Sequence, residues 1–166
     1  MKRLGLIGFS GSGKSSLAAL ASKNGLKTVD TDALIEAKDP KAFDLLEQDR
    51  EEDFRTLETC VISGILKSDF DLAAFGGGVH FAHQAWREIY ESSVKFVYLR
   101  SSFENLTGRF EERPLCRKLG LEGYKRLFKS RCPLYEKAAT FVVDTDGRGL
   151  SEIWSEIEEI WNSLFH

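Results

Sequence analysis

The sequence predicts an α/β fold, with a five-stranded, mostly parallel sheet and helices on both faces, from three observations. The first is Gly8-Phe9-Ser10-Gly11-Ser12-Gly13-Lys14-Ser15, which fits the phosphate-binding pattern G-x-x-x-x-G-K-S/T and lies between an apolar run and a helical one. The second is the recurrence of five strand-like runs with helical patterns between them, an alternation that implies right-handed crossovers and parallel pairing. The third is size and composition. With 166 residues, 42% hydrophobic and 30% charged, residues 1–166 suit a single domain with one core.

Taken in order, Leu4–Ile7 is short, apolar and bounded by the loop glycines, so it reads as a buried strand. Ser16-Leu17-Ala18-Ala19-Leu20-Ala21-Ser22 opens the first helix. Lys27–Val29, Leu72–Phe75, Lys95–Leu99 and Phe141–Val143 supply the other strands. Asp49 to about Lys67 reads as a helix with Phe54, Leu57, Val61 and Ile65 on one face, its acidic start matched to the helix dipole. Glu111 to Gly120 is polar, charged and proline-containing, without hydrophobic periodicity, and reads as a mobile loop. Arg131-Cys132-Pro133-Leu134-Tyr135 reads as a helix end. The last helix takes Ser151 as its N-cap, with Ile153, Ile157, Ile160, Trp161 and Leu164 as a core-facing stripe.

Ligands of such folds gather at the carboxyl ends of the strands, so the polar residues that follow each strand carry the chemistry. In the first loop the glycines turn backbone N–H groups onto a β-phosphate, and the helix N-terminus adds partial positive charge. Lys14 reaches the β- and γ-phosphates, and the Ser15 hydroxyl ligates Mg²⁺. The ligand is a nucleoside triphosphate. After the second strand, Asp30-Thr31-Asp32 sets two carboxylates two residues apart, one for Mg²⁺ and one for an incoming hydroxyl group; the same residues also suit a helix N-cap. Phe54-Arg55-x-x-Glu58 is either a surface pair or, if Glu58 orients Arg55, a rigid fork for a carboxylate. Gly76-Gly77-Gly78 is entropically costly and implies close backbone approach to a ligand. Arg113 and Arg131 either reach phosphate or carboxylate groups or remain solvated. Arg100 and Asp144 follow the fourth and fifth strands. His80 and His83, at H-x-x-H spacing with no third ligand type beside them, read as surface residues.

Several classes are excluded. A formal charge of −3 offers no basic excess for nucleic acid. No apolar stretch approaches bilayer-spanning length, and Met1-Lys2-Arg3 runs straight into the first strand without a leader's apolar region, so the expectation is a cytoplasmic protein. Cys60, Cys116 and Cys132 are odd in number and lack C-x-x-C spacing, which points to reduced thiols.

Six marks in this order span the chain: G-F-S-G-S-G-K-S at Gly8–Ser15, D-T-D at Asp30–Asp32, F-R-x-x-E at Phe54–Glu58, G-G-G at Gly76–Gly78, R-P-L at Arg113–Leu115 and R-x-P-L-Y-x-x-x-A at Arg131–Ala139. With them the sequence resembles the shikimate kinase family. The resemblance implies the P-loop kinase fold with a mobile lid at about 111–120 and substrate-binding helices at about 31–67. It implies transfer of the ATP γ-phosphate, with Mg²⁺, to the 3-hydroxyl of shikimate on the route to chorismate and aromatic amino acids. By the same resemblance Gly11, Ser12, Gly13, Lys14, Ser15 and Ser16 bind ATP, Arg109 stacks on adenine, and Arg113 closes over the phosphates. Ser15 and Asp30 serve Mg²⁺; Asp32, Arg55, Gly77, Gly78 and Arg131 hold shikimate; Lys14, Asp32 and Arg113 are catalytic, with Asp32 taking the hydroxyl proton. A monomer is expected.

The sequence departs from the family in three places. No glycine stands between Lys38 and Arg50, Ser16 stands where Thr is commoner, and the stretch before the lid is short. Two rival readings are a gluconate kinase, whose substrate also carries a carboxylate, and a nucleotide-dependent regulatory module without transfer activity.

Overall fold

The computed structural model describes residues 3–78 and 84–165, with all their side chains except those of residues 84, 85, 90, 91 and 107–109. His80 and His83 therefore lie outside the described residues. Strands β1 (Leu4–Ile7), β2 (Thr28–Asp30), β3 (Leu72–Ala74), β4 (Lys95–Arg100) and β5 (Phe141–Asp144) form one sheet in the order β2-β3-β1-β4-β5. Every neighbouring pair is parallel, with Leu4 in register with Leu72 on one side and Lys95 on the other.

Alternation along the strands sorts the core into two layers. Leu4, Leu6, Leu72, Ala74, Val97 and Leu99 pack with α1 (Lys14–Lys23) and α8 (Leu150–Phe165). Ile7, Ala73, Phe75, Phe96 and Tyr98 face the other way, onto α4 (Glu51–Leu66), α5 (Gln84–Glu91) and α7 (Pro114–Ala138). Because both faces are covered, the strands read as continuous apolar runs rather than as alternating ones. A smaller third cluster, Ile35, Ala42, Leu46 and Phe54, lies among α2 (Thr31–Lys38), α3 (Asp44–Glu47) and α4, beyond the carboxyl end of β2.

Four expectations are corrected. The stretch 111–120 is not a loop. A short helix α6 (Phe103–Leu106) and a 3-10 turn (Thr107–Glu112) lead into α7, which Pro114 opens at a position where its missing N–H costs nothing. Cys116 is buried there, and Arg117 pairs with Glu47 of α3 at 2.8 Å from its Nε. The apolar period was invisible because α7 is two helices end to end, broken where Gly120 takes φ 68° and ψ 171°. Second, Arg131–Tyr135 does not end a helix: α7 continues to Ala138 with Pro133 inside it. Third, Ser151 is inside α8, and Gly149 caps it; the Gly149 N–H donates to Glu152 Oε2 at 2.8 Å while its carbonyl takes the Glu152 and Ile153 N–H groups. Fourth, Arg100 and Asp144 do not join the chemistry of the sheet edge but form a bidentate pair with each other, at 2.6 and 2.8 Å.

Candidate active site

The phosphate loop leaves β1 at Gly8 and enters α1 at Lys14, with Gly8, Gly11 and Gly13 at φ 149°, 89° and 95°. Those angles suit glycine, and they keep side chains out of the loop's concave face. Gly13 caps α1 without a side chain, so the first N–H groups of the helix are left to a ligand. Lys14 is almost fully buried; its Nζ donates to the carbonyls of Gly8 (2.7 Å) and Phe9 (2.9 Å) and to Ser12 Oγ (3.4 Å). Burial pushes its pKa down to about 8, with the charge of Asp32 opposing the fall. Without a ligand the ammonium thus holds the loop's own oxygens, where a triphosphate would offer stronger ones.

The three residues of Asp30-Thr31-Asp32 divide three tasks. Asp30 caps α2, accepting the Ala33 N–H at 3.1 Å on Oδ1. Thr31 is fully buried, and its Oγ1 accepts the Gly76 N–H at 2.8 Å, tying the glycine triplet to α2. Asp32 turns into the cavity, where loss of hydration pushes its carboxyl up to about 6; Asp30 and Glu58 add to the rise and Lys14 opposes it. A carboxyl near neutrality beside a phosphate loop is suited to accepting a proton.

The triplet lies in close contact with its surroundings, most tightly at Gly76 and Gly77. A Cβ on Gly76 would run into Asp32 Oδ1, one on Gly77 would lie 2.7 Å from the Ser10 backbone nitrogen, and one on Gly78 would lie 3.3 Å from Arg55 Nη2. The Gly77 carbonyl takes two donors from α7, Arg131 Nη1 at 3.0 Å and the Tyr135 hydroxyl.

Arg55 and Glu58 are each 2% exposed, although they sit on a helix face that sequence spacing alone would leave in water. Arg55 Nη1 donates to Glu58 Oε2 at 2.9 Å, and Nη2 donates to the half-exposed Glu51 at 3.0 Å. Burial works against the Arg55 charge, but the charge and hydrogen bonds of Glu58 and Glu51 outweigh it and hold the guanidinium protonated more firmly than usual. The arginine is therefore fixed in direction before any ligand arrives.

These groups line two adjoining cavities. One is built on the phosphate loop, with Gly11, Gly13, Lys14, Ser15 and Ser16 along it. The other holds Arg55, Glu58, Gly78 and Arg131 against an apolar wall of Phe43, Leu46, Phe54 and Leu115. Asp32, Gly77 and Arg113 line both, and Arg113 Nη2 lies 3.4 Å from where a Gly11 Cβ would stand. The structure thus brings together Gly11, Gly13, Lys14, Ser15, Ser16, Asp32, Arg55, Gly77, Gly78, Arg113 and Arg131. Ser12 is buried behind the loop. Asp30 stands one helical position back as a cap. Arg109 belongs to the 3-10 turn, and its side chain lies outside the described ones.

For Mg²⁺ the donors are hard oxygens, the Ser15 hydroxyl on the loop and the carboxylate of Asp30 at the start of α2, and that is the ligand chemistry Mg²⁺ takes together with phosphates and water. Among the described residues no cluster of three His, Cys, Asp or Glu forms a protein-only metal cage.

Residues that were given no role include Thr31 and Tyr135, which lie inside two of the motifs, and Tyr124, which lies outside them all. Tyr124, Arg131 and Tyr135 fall at i, i+7 and i+11 on α7, one face of a helix. That spacing is a usable signal once the segment is known to be helical.

Comparison with known proteins agrees in sequence and in fold. Residues 10–161 match the family model described as Shikimate kinase. The shikimate kinase of Dictyoglomus turgidum is 36% identical over 169 residues, covering 94% of this chain and 95% of the relative. That of Streptococcus gordonii is 32% identical over 154 residues, covering 89% and 93%. Among solved structures, a shikimate kinase from Acinetobacter baumannii in complex with shikimate superposes with a TM-score of 0.84 at 27% identity, covering 99% of this chain and 95% of the other.

Proposed function

The chain belongs to the shikimate kinase family, and from that premise we propose how its residues carry the ATP:shikimate 3-phosphotransferase reaction of that family. The observation that supports this reading best is the wall shared by the two cavities: Ser10, Asp32, Gly77 and Arg113 face a triphosphate loop on one side and a pair of guanidinium groups on the other. A donor phosphate and an anionic acceptor meet there.

On this reading the shikimate carboxylate lies against Arg55 and Arg131, a match of planar forks to a planar anion that lysine makes poorly. Gly77 and Gly78 let the ring approach the backbone. Asp32 accepts the proton of the 3-hydroxyl as its oxygen bonds to the γ-phosphorus, while the bond to the β–γ bridging oxygen breaks and ADP departs. Lys14 turns from the loop carbonyls to the phosphates, and Arg113 neutralises charge from the opposite side. Phosphoryl transfer through a loose transition state asks mainly for this alignment and these cations. Ser15 and Asp30 would hold Mg²⁺ together with the nucleotide, and the ion would supply further charge neutralisation there. Arg109 stacks on the adenine.

ADP release measured with shikimate and with gluconate as acceptors tests the assignment. Turnover of shikimate alone is expected, and turnover of gluconate alone would overturn it. No helix among the described residues is long and apolar enough to cross a membrane; we assign the enzyme to the cytoplasm as a monomer, and sedimentation at micromolar concentration checks the oligomeric state.

The pH dependence follows from the two shifted groups. Asp32 is neutral below about pH 6 and charged above it, so its capacity to take a proton is lost as pH falls through 6. Lys14 loses its charge as pH rises through about 8. The pH profile of kcat/KM for ATP should therefore be bell-shaped with limbs near those values. Asp32→Asn should remove the acid limb and lower kcat by roughly a hundredfold or more; an acid limb unchanged in that variant would show that another group takes the proton.

The lid is assigned to residues 111–120, which Glu47 at the end of α3 and Asp49 just beyond it hold through Arg117–Glu47 and Lys118–Asp49 (2.6 Å). Both ion pairs are partly exposed and so are weak and screened by salt. Trypsin should cut first after Arg117 or Lys118 in the free protein, and an ATP analogue with shikimate should slow that cut. Equal rates in both conditions would speak against closure.

A further inference from the structure

Of the marks spread along the chain, R-x-P-L-Y brings Arg131 to the acceptor cavity, but its tyrosine has no part in the reaction described above. Tyr135 stands four residues after Arg131, on the same face of α7. It lines neither cavity and is 2% exposed, its ring 5.3 Å from that of Tyr98 on β4. A phenylalanine would fill that site equally well, whereas a buried hydroxyl costs free energy unless it is bonded. The Tyr135 hydroxyl donates to the carbonyl of Gly77. Burial pushes its pKa up, against the charge of Arg131, so the group remains a donor across the range in which Asp32 and Lys14 titrate.

The position of that carbonyl affects both of its neighbours in the acceptor cavity. Arg131 Nη1 donates to the same oxygen at 3.0 Å, so both of its lone pairs are taken. A trans peptide sets one residue's C=O antiparallel to the next residue's N–H, so a carbonyl tied to α7 fixes the rotation of the whole Gly77–Gly78 peptide. Glycine supplies no such restraint of its own. Gly78 in turn stands between the two guanidinium groups, because a Cβ on it would lie 3.3 Å from Arg55 Nη2 and 3.7 Å from Arg131 Nη2. Arg131 therefore engages Nη1 on the carbonyl and keeps Nη2 on the side of Gly78. Without the tyrosine hydroxyl, a carboxylate that drew the guanidinium away would leave the carbonyl of a buried residue unpaired.

We propose that Tyr135 is a positioning residue for the acceptor: by holding the Gly77 carbonyl it fixes the Gly77–Gly78 peptide and frees Arg131 to share a substrate carboxylate with Arg55. The hydroxyl touches neither substrate nor phosphate and moves no proton. Its effect passes through the carbonyl to Arg131, whose fork is then placed before the acceptor arrives, and a preplaced donor binds without the cost of being ordered. The tyrosine thus belongs to acceptor recognition and not to the nucleotide half of the site. This inference rests on the functional reading above, in which the acceptor carries the carboxylate.

Steady-state kinetics on Tyr135→Phe, Arg131→Lys and the double variant test it, beside calorimetric titration of shikimate into each protein without nucleotide. Loss of one hydrogen bond between neutral groups should raise the Michaelis constant for shikimate roughly three- to tenfold in Tyr135→Phe, with the titrated affinity weakened by the same factor. Both kcat and the Michaelis constant for ATP should stay within about twofold of the wild type. In the Arg131→Lys background the tyrosine substitution should add less than about twofold, as expected of two groups that act through one carbonyl. An unchanged constant for shikimate, with loss confined to thermal stability, would overturn the proposal and leave Tyr135 a structural tie between α7 and the sheet edge. So would a full effect in the Arg131→Lys background, or a defect in the ATP constant. The two layers of the reading separate: if Arg131→Lys spares shikimate, the carboxylate clamp falls and the role of Tyr135 with it, whereas a weakened Arg131→Lys beside an unaffected Tyr135→Phe removes the tyrosine alone.

Discussion

Lys14→Met should lose phosphoryl transfer by about a thousandfold or more while melting within a few degrees of the wild type. The loss of rate follows from removing a preorganised cation at the β- and γ-phosphates, where charge develops as the bond to the bridging oxygen breaks. The near-constant stability follows from two opposed effects in the free protein. The carbonyl of Gly8 loses its donor at 2.7 Å, a cost of about 1 kcal/mol. The Phe9 carbonyl keeps a second donor, the Ser12 N–H at 3.2 Å. Against this, an ammonium whose pKa is pushed down to about 8 by burial no longer has to be kept out of water. A residual imbalance of about 1 kcal/mol moves Tm by only about 2–4 °C in a chain of this size. ADP-release rates and thermal melts on one preparation check both halves. Near-normal turnover would remove the loop from the mechanism, and a large fall in Tm would make its lysine a structural brace.

The second large effect concerns the carboxylate clamp. Arg55→Lys should reduce kcat/KM for shikimate by roughly ten- to a hundredfold, the worth of a hydrogen bond to a charged group, and leave the Michaelis constant for ATP nearly unchanged. Lysine keeps the charge, but it lacks the planar fork whose separate nitrogens meet Glu58 and Glu51 in fixed directions and leave donors for a substrate carboxylate. Glu58 adds a prediction of a different kind. Because both partners are 2% exposed, Glu58→Ala leaves the buried guanidinium with the half-exposed Glu51 as its remaining partner, and breaking a buried pair of this type costs about 3–5 kcal/mol. Tm should then fall by roughly 10 °C, whereas Arg55→Lys, which retains the pair's charges, should fall by much less. A defect in Arg55→Lys that appears in the ATP constant and spares shikimate would sink the clamp.

The difference between a surface pair and a buried clamp marks where sequence reading stops. On spacing alone, Arg55 and Glu58 are three residues apart on one helical face, and such pairs most often lie in water. Here α2 and α3 pack against α4, with Ile35, Leu46 and Phe54 in the same small cluster. Nothing within α4 itself foretells that cover. Tyr135 and Arg131 illustrate the same limit, because both donate to the carbonyl of Gly77, more than fifty residues earlier.

The elements carried by contiguous residues were legible throughout. The eight residues of the phosphate loop, the five apolar strand runs and the amphipathic stripes of α4 and α8 each satisfy a local rule of period, capping or backbone freedom. Each stands in the structure within one or two residues of its expected bounds, except where a break hides the period. Gly120 hid α7 in this way, breaking the helical stretch with a non-helical backbone conformation. At α8, Gly149 took the cap expected of Ser151 because Glu152 reaches back to its N–H, a choice made by local geometry that composition does not reveal.

By itself, then, the sequence determined the order of strands and helices, the triphosphate loop, the motif positions and their family, because backbone propensity, hydrophobic period and loop conformation act over a few neighbouring residues. Tertiary structure alone decided which charges are buried and which carboxylate of Asp30 and Asp32 enters the cavity. Those outcomes depend on loss of water and on distances between segments far apart in the chain, and each is set only when the α-helices close over the carboxyl ends of the sheet.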